Sequence, residues 1–212
     1  MLKKQLALVA LLSFAVPALA QRAPEEGLDY SELRPAQATE SPGKIEVTEF
    51  FWYRCPHCYA LEPQLASWLK QLPKDAQFRR IPAVFSDEWA IDARIFYTLE
   101  TMGQEERVHK ALFDAIHQQG GVKLKGEAYA KWAADWLSRQ GVDARKYDET
   151  FRSFTVSTKV RRASQMTAAY KFDGVPAIAV QGRWVVNASS SMLSVTSYLI
   201  DQSRKTATSA KK

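Results

Sequence analysis

The stretch that decides the fold is Glu49-Phe50-Phe51-Trp52-Tyr53-Arg54-Cys55-Pro56-His57-Cys58, residues 49–58. It holds the only two cysteines in the 212-residue sequence, with two residues between them. Residues 45–53 are rich in β-branched and aromatic side chains, which predicts a strand. Residues 59–72 space their apolar positions at a helical interval, which predicts a helix. The Cys-x-x-Cys motif therefore lies at a strand-to-helix junction, with Cys55 near the N-cap and Pro56 at the first helical position.

This position favours a reactive thiol, because unpaired N–H groups and partial positive charge at a helix N-terminus stabilise a thiolate. The imidazole of His57, between the cysteines, can lower the pKa of Cys55 further. Two alternatives are an inert structural bridge and a metal site. A bridge this short restrains the unfolded chain little. Zinc prefers four ligands, and the other histidines, His109 and His117, read as surface polar residues two turns apart on one helix. We therefore expect no metal and no cofactor.

Residues 1–20 have the three parts of a secretory signal peptide: a basic start, an apolar run over residues 6–16 and an Ala-x-Ala site at 18–20. The apolar run is too short to span a bilayer. A buried N-terminal helix is the alternative, but it does not explain why the three parts coincide. We expect export, with the mature chain beginning at Gln21.

The formal net charge of +6 is confined to the two ends of the chain. Residues 1–20 hold two lysines, residues 203–212 hold four basic residues, and neither segment contains an acid. The rest of the chain is balanced, so no nucleic-acid partner is indicated. Residues 203–212 consist of Ser, Thr, Ala, Lys and Arg, which predicts a disordered basic tail.

The remaining pattern predicts an α/β protein of order β-α-β, a block of helices, then β-β-α. Residues 21–43 are interpreted as an extended arm, and residues 77–85 as a second strand whose Pro82 indicates an edge or a bulge. Five helical stripes follow between residues 87 and 170, with tryptophans 89, 132 and 136 at core positions. The last elements are a hairpin around a two-residue turn at Gln181-Gly182 and a helix over 189–200.

Cys-Pro-His-Cys after an aromatic strand, a helical insertion and a late Gly174-Val175-Pro176-Ala177 resemble the DsbA family of thiol:disulfide interchange proteins. The likeness covers residues 45–200. It implies a thioredoxin fold with an inserted α-helical domain. The thioredoxin-like domain would comprise residues 21–86 and 171–202, and the inserted domain residues 87–170.

The resemblance also assigns roles around the cysteines. Cys55 would be the nucleophile, and Cys58, one helical turn later, its buried resolving partner. Glu49 lies on the otherwise apolar alternating row of its strand, so burial should raise its pKa. The family has a buried glutamate at this position, which implies that Glu49 accepts a proton from Cys58; the alternative is a glutamate on a poorly covered sheet face. Arg80 takes the place of a basic residue that faces this glutamate in some relatives.

Pro176 matches the family's cis-proline, because it stands directly before the hairpin. A cis bond would leave the backbone groups of Val175 free to bind an extended peptide beside Cys55. The alternative is a trans proline that opens a strand. The resemblance thus implies a substrate-binding role for Val175 and Pro176.

The function implied is donation of the Cys55–Cys58 disulfide to reduced, unfolded exported proteins in the periplasm. The membrane quinone reductase DsbB would reoxidise the protein, which we expect to be a monomer. A disulfide isomerase or reductase is one alternative, although isomerases carry an N-terminal dimerisation domain and the residues between 20 and 45 leave no room for one. A non-catalytic peptide-binding chaperone is the other, and it would need no labile disulfide.

Overall fold

The structure of the chain is a computed structural model, which describes residues 22–209. The predicted signal peptide at residues 1–20 lies outside the described residues. Within the described range the elements are, in order, β1 (Ser31–Glu32), β2 (Ile45–Phe51), α1 (Pro56–Leu69), β3 (Ala76–Pro82), α2 (Asp87–Thr101), α3 (Glu105–Gln118), a short 3₁₀ helix (Gly121–Lys123), α4 (Gly126–Arg139), α5 (Ala144–Phe151), α6 (Phe154–Ala169), β4 (Ala177–Val180), β5 (Trp184–Asn187) and α7 (Met192–Ser209). Apart from β1, which was not predicted, this is the predicted β-α-β, helical block and β-β-α order.

The strands form one mixed sheet in the order β1-β5-β4-β2-β3. β2 pairs in parallel with β3 and antiparallel with β4, so it is central, and β3 with its terminal Pro82 lies at the edge as predicted. Every residue of β2 except Ile45 is buried. The register places Glu49 beside Arg80 of β3 and Ile178 of β4. A carboxylate on this strand therefore has protein on every side.

The sheet and the inserted helices share one hydrophobic core. The ring of Phe51 on β2 lies 5.4 Å from that of Phe96 on α2 and 5.8 Å from that of Phe113 on α3, measured between ring centroids. Trp136 is buried in this core, and Trp89 and Trp132 are half-buried against it, as their helical spacing predicts. A second cluster joins the strands to α7 and contains Val47, Ile178, Val186, Met192 and Leu199. Because Phe51 is the last residue of β2 and packs against α2 and α3, the inserted helices hold the end of this strand.

The sequence predicts an N-terminal arm that is only extended. In the structure this arm also adds strand β1 to the sheet. Ser31 of β1 is paired antiparallel with Val185 of β5. Further along the arm, the N–H of Gln37 donates to the carbonyl of Gly182 at 2.7 Å. A side chain at Gly182 would lie 2.1 Å from the carbonyl oxygen of Gln37, and its φ of +61° also requires glycine. The predicted two-residue turn is wrong by one residue, since the strand pairing leaves three residues, 181–183, in the loop.

The predicted disorder of residues 203–212 is wrong for residues 203–209, which continue helix α7. Ser203 is buried, and its hydroxyl donates to the carbonyl of Leu199 at 2.9 Å. Arg204 forms an ion pair with Asp75, with Nε 2.7 Å from Oδ2. The first contact lies within α7, and the second joins this part of the helix to the turn that precedes β3. Residues 210–212 lie outside the described range.

Candidate active site

The strand-to-helix junction places Cys55 at the N-cap of α1 and Pro56 at its first position, as the sequence predicts. Cys55 has extended backbone angles, with φ −80° and ψ 118°, so its side chain turns back over the first helical turn. Its Sγ accepts a hydrogen bond from the N–H of Cys58 at 3.3 Å and lies 3.4 Å from the carbonyl oxygen of Val175. Both cysteines are free thiols, and their exposed fractions are 6% for Cys55 and 1% for Cys58. Cys55 is the more exposed of the pair, although both are buried.

The environment shifts the pKa values of the two thiols in opposite directions. The pKa of Cys55 is lowered to about 6, chiefly by a hydrogen bond from the thiol of Cys58, against the opposing effect of burial. Backbone N–H groups of Cys58 and His57 lower it further, and the charge of the His57 side chain adds a smaller effect. Burial, and then the neighbouring Cys55, raise the pKa of Cys58 far above that of an ordinary thiol. At neutral pH Cys55 is therefore the thiolate and Cys58 the thiol.

Glu49 is fully buried on β2, six residues before Cys55. Burial raises its pKa to about 7, the direction that its apolar row predicts, and the guanidinium of Arg80 opposes this rise. Arg80 lies opposite Glu49, with Nε 3.1 Å from Oε2, and its Nη2 lies 3.3 Å from Oε1 of Glu62 on α1. The negative charge of Glu49 is among the causes that raise the pKa of Cys58. A carboxyl with a pKa of about 7 therefore lies close enough to the buried thiol to affect its pKa.

His109 is not a surface residue, so that prediction is wrong. It is 4% exposed, and its ring packs edge-on against Phe51 and Phe113. The Tyr53 hydroxyl lies 3.0 Å from Nδ1 of His109, and Glu62 lies 3.5 Å from Nε2. Burial lowers the pKa of His109, and Glu62 opposes this. The helical stripe of α3 could have revealed this burial, because His109 immediately follows Val108 and precedes Leu112 by three positions.

His117 is half-buried rather than exposed. Its Nε2 lies 2.9 Å from the carbonyl oxygen of Tyr53, and its ring stacks on Tyr59 at 4.5 Å between centroids. The two histidines of α3 thus both contact Tyr53, two residues before Cys55. Among residues 22–209, no cluster of three or more His, Cys, Asp or Glu side chains is arranged to hold a metal ion.

A groove of about 460 Å³ runs beside the cysteine pair. It is lined by His57, Ala60, Leu61, Gln64, Pro176, Ala188, Ser189, Ser190 and Met192. The Val175–Pro176 peptide bond is cis, and Val175 directs its carbonyl oxygen toward Cys55 Sγ. His57 itself is exposed at the rim, on the first turn of α1. The structure therefore brings His57 and Pro176 together along one surface next to Cys55.

A mixed sheet of this topology, with two unequal thiols at a helix N-terminus, defines a thiol–disulfide oxidoreductase of the thioredoxin fold. Comparison with known proteins identifies the family within this class. Residues 46–199 match the model of the DSBA-like thioredoxin domain, and the chain belongs to the DsbA family.

Sequence alignments with curated relatives extend over most of the chain. This chain is 41% identical to the thiol:disulfide interchange protein DsbA of Pseudomonas syringae pv. tomato over 97% of this chain and 96% of the relative. It is 38% identical to that of Bordetella parapertussis over 94% of each. Among solved structures, DsbA of Pseudomonas aeruginosa aligns with a TM-score of 0.78 at 38% identity, covering 85% of this chain and 94% of that one. DsbA of Xylella fastidiosa aligns with a TM-score of 0.80 at 31% identity, covering 87% and 100%.

Proposed function

We propose that this oxidoreductase acts as an exported protein-disulfide oxidase, which donates its Cys55–Cys58 disulfide to reduced, unfolded exported proteins. The observation that supports this most directly is the contrast between the two thiols: the pKa of Cys55 is about 6, and that of Cys58 is raised. A sulfur that is stable as a thiolate is a good leaving group. Cys55 therefore suits release from a mixed disulfide with a substrate.

The exchange proceeds in two steps. A substrate thiolate attacks Sγ of Cys55, the Cys55–Cys58 bond breaks, and the sulfur of Cys58 leaves and takes up a proton. A second substrate thiolate then attacks the substrate sulfur of the mixed disulfide, and Cys55 leaves as a thiolate. The substrate has lost two electrons and two protons and gained a disulfide, and the protein is in its dithiol form. We propose that Glu49 exchanges a proton with Cys58. It donates the proton when the substrate is oxidised and accepts it when the protein is reoxidised.

The direction of transfer follows from the stability of the reduced form. A thiol of pKa about 6 is mostly ionised at pH 7, which stabilises the dithiol state by about 1.4 kcal/mol relative to an ordinary cysteine. For a two-electron couple this corresponds to roughly 30 mV of added oxidising power. The link between a stable thiolate and oxidising power is an established property of the DsbA family.

The groove beside Cys55 suits an extended peptide. Val175 has its carbonyl oxygen next to the sulfur, and Pro176 lines the groove. Backbone groups bind a peptide without selecting its sequence. Helix α1 contributes both apolar and polar side chains to the groove, namely Ala60 and Leu61 beside His57 and Gln64. This arrangement suits a protein that must accept many unfolded chains.

We assign the protein to the periplasm, on the strength of the signal-peptide pattern of residues 1–20 and the DsbA names of its relatives. After each transfer the dithiol form must lose two electrons, and we propose a membrane quinone reductase of the DsbB type as the acceptor. We expect a monomer. In the part of the chain that is described, no helix is long and apolar enough to cross a membrane.

The test is oxidation of a reduced, unfolded protein by the purified disulfide form, together with the equilibrium of Cys55–Cys58 with glutathione. One disulfide should be transferred per molecule, and the glutathione equilibrium should favour the dithiol. Cys55→Ser should abolish transfer and leave the fold unchanged, as judged by circular dichroism. Transfer by Cys55→Ser would show that the mechanism is wrong, and a glutathione equilibrium on the disulfide side would favour a reductase.

A further inference from the structure

The three residues before Cys55 are each held by the inserted helices rather than by the sheet. The ring of Trp52 stacks on Trp89 of α2, with 4.1 Å between centroids and 8° between planes. Its Nε1 donates to Oδ2 of Asp92, also on α2, at 2.8 Å. Tyr53 contacts His109 of α3 through its hydroxyl. The loop that leads to the cysteine is thus fixed by contacts from outside the thioredoxin unit.

Arg54, the residue directly before Cys55, has the most extensive of these contacts. Its side chain is only 4% exposed. Nε donates to Oδ2 of Asp92 at 3.0 Å, and Nη1 donates to a carboxylate oxygen of Glu88 at 2.7 Å. The guanidinium also donates to the backbone carbonyls of Glu88 and Leu124. A buried cation with this many acceptors has little freedom to move.

Asp92 joins these contacts into one network. It is completely buried, and the hydroxyl of Tyr129 on α4 donates to its Oδ1 at 2.6 Å. Trp52, Arg54 and Tyr129 all act as donors to it, which is the arrangement a carboxylate requires. Burial raises the pKa of Asp92, whereas Arg54 and the donated hydrogen bonds oppose that rise. One buried side chain therefore links α2 and α4 to two of the three residues that precede Cys55.

We propose that Asp92 is a positioning residue for thiol–disulfide exchange at Cys55. The carbonyl of Trp52 accepts the N–H of Cys55 at 3.0 Å, so the orientation of Trp52 fixes the backbone of the cysteine. That backbone sets the direction of Sγ toward the N–H of Cys58. Asp92 acts on the reacting sulfur through Trp52 and Arg54, without touching it.

The network can affect Cys55 in two ways, and these have opposite signs. As a negative charge, Asp92 disfavours a nearby thiolate, so its loss would lower the pKa of Cys55. As an anchor, it keeps Sγ in place to accept from the helix N-terminus, so its loss would raise that pKa. A positioning role requires that removing every contact of Asp92 raises the pKa of Cys55. The loss of the anchor must then outweigh the loss of the charge.

The experiment compares Asp92→Ala with Asp92→Asn. In Asp92→Asn, the amide oxygen can still accept from Trp52 and Arg54, and the amide nitrogen can donate to the hydroxyl of Tyr129. The contacts survive while the charge is lost. In Asp92→Ala both are lost. The matched control is Asp148→Ala, which removes an exposed carboxylate from α5 of the same inserted block.

The midpoint of thiolate absorbance against pH and the rate constant for disulfide transfer are measured for each variant. We expect Asp92→Ala to raise the midpoint of Cys55 above that of the wild type and to slow transfer on the order of tenfold or more, since small misplacements of reacting groups are costly. Asp92→Asn should recover most of the rate, with a midpoint at or below that of the wild type. Asp148→Ala should change neither quantity.

A lowered midpoint in both Asp92 variants would show that the residue acts through charge alone, and an unchanged midpoint and rate would show that its role is limited to stability. Either result overturns the inference. If Asp92→Ala does not fold, Tyr129→Phe takes its place, because it removes one contact and no charge; it should raise the midpoint and slow transfer by a smaller factor. The inference rests on Cys55 as the attacked sulfur, which Cys55→Ser tests separately in an otherwise wild-type chain.

Discussion

Replacement of Glu49 by Gln should stabilise the protein, and more so at higher pH. Glu49 has a pKa of about 7 in the folded protein, against an ordinary value of 4.5. The folded state therefore holds a proton that the unfolded state has already lost over this range. The contribution of Glu49 to the free energy of unfolding falls as the pH rises from about 4.5 to about 7 and is constant above that. The difference in pKa corresponds to about 3 kcal/mol.

The amide of the Glu49→Gln variant cannot ionise, so this pH dependence should be absent from it. Relative to the wild type, the variant should gain up to about 3 kcal/mol between about pH 4.5 and pH 7. The pKa of about 7 already includes the effect of Arg80. In the variant the amide oxygen can still accept from Arg80, and Arg80 also keeps Glu62 as a partner. The quantity to measure is therefore how the difference in free energy of unfolding between the variant and the wild type changes with pH.

The assay is urea unfolding of the reduced protein at about pH 5 and about pH 8, with a reductant present so that the disulfide does not contribute. Glu46→Gln is the matched control on the same strand. Glu46 is equally buried, but its carboxylate accepts from the N–H of Glu40 at 2.7 Å and the hydroxyl of Ser41 at 2.9 Å. Glu46→Gln should destabilise the protein at both pH values. A gain in Glu49→Gln that is equal at the two pH values, or larger at the lower one, would refute the reasoning.

Two further predictions concern the surface around the cysteines. His57→Ala should raise the pKa of Cys55 and make the protein less oxidising; the shift should be modest, because the side-chain charge is the smallest of the contributions named above and the backbone N–H remains. Thiolate absorbance against pH checks this, and an unchanged midpoint would mean that the helix terminus and Cys58 act alone. Ala60→Trp should fill part of the groove and raise the KM for a peptide dithiol while leaving the reaction with glutathione unchanged. Ser67→Trp, exposed further along α1 and outside the groove, is its control, and equal effects of the two variants would exclude the groove as the peptide site.

The fold and the cysteine motif could be predicted because their signals are local. The apolar spacing of residues 59–72 and the position of Pro56 are enough to place the start of α1, and therefore the N-cap role of Cys55. Glu49 could be recognised because a charge on an apolar row stands out against its neighbours. Strand β1 has only two residues, and its existence depends on pairing with β5, which no local pattern shows.

Asp92 carries a signal in the sequence of the same kind as that of Glu49, a charged residue among apolar ones. It lies three residues after Trp89 and four before Phe96, on the apolar face of α2. What the sequence does not contain is the identity of its partners, because Arg54 and Tyr129 are distant along the chain and meet Asp92 only through packing. The same reason applies to the wrong prediction for residues 203–209, where Arg204 meets Asp75, a residue distant along the chain.

The position of the helical block within the chain also determines the order in which the protein can fold during synthesis. β2 and β3 are joined by α1 alone, so their pairing needs little loop closure. The opposite edge of β2 must wait for β4, which follows all five inserted helices. Contacts so distant in sequence form slowly. Until then, β2 presents an open apolar edge of the kind that promotes aggregation. A growing chain thus carries both thiols and their helix N-terminus well before the carbonyl of Val175 arrives, and peptide binding is the last property that the molecule acquires.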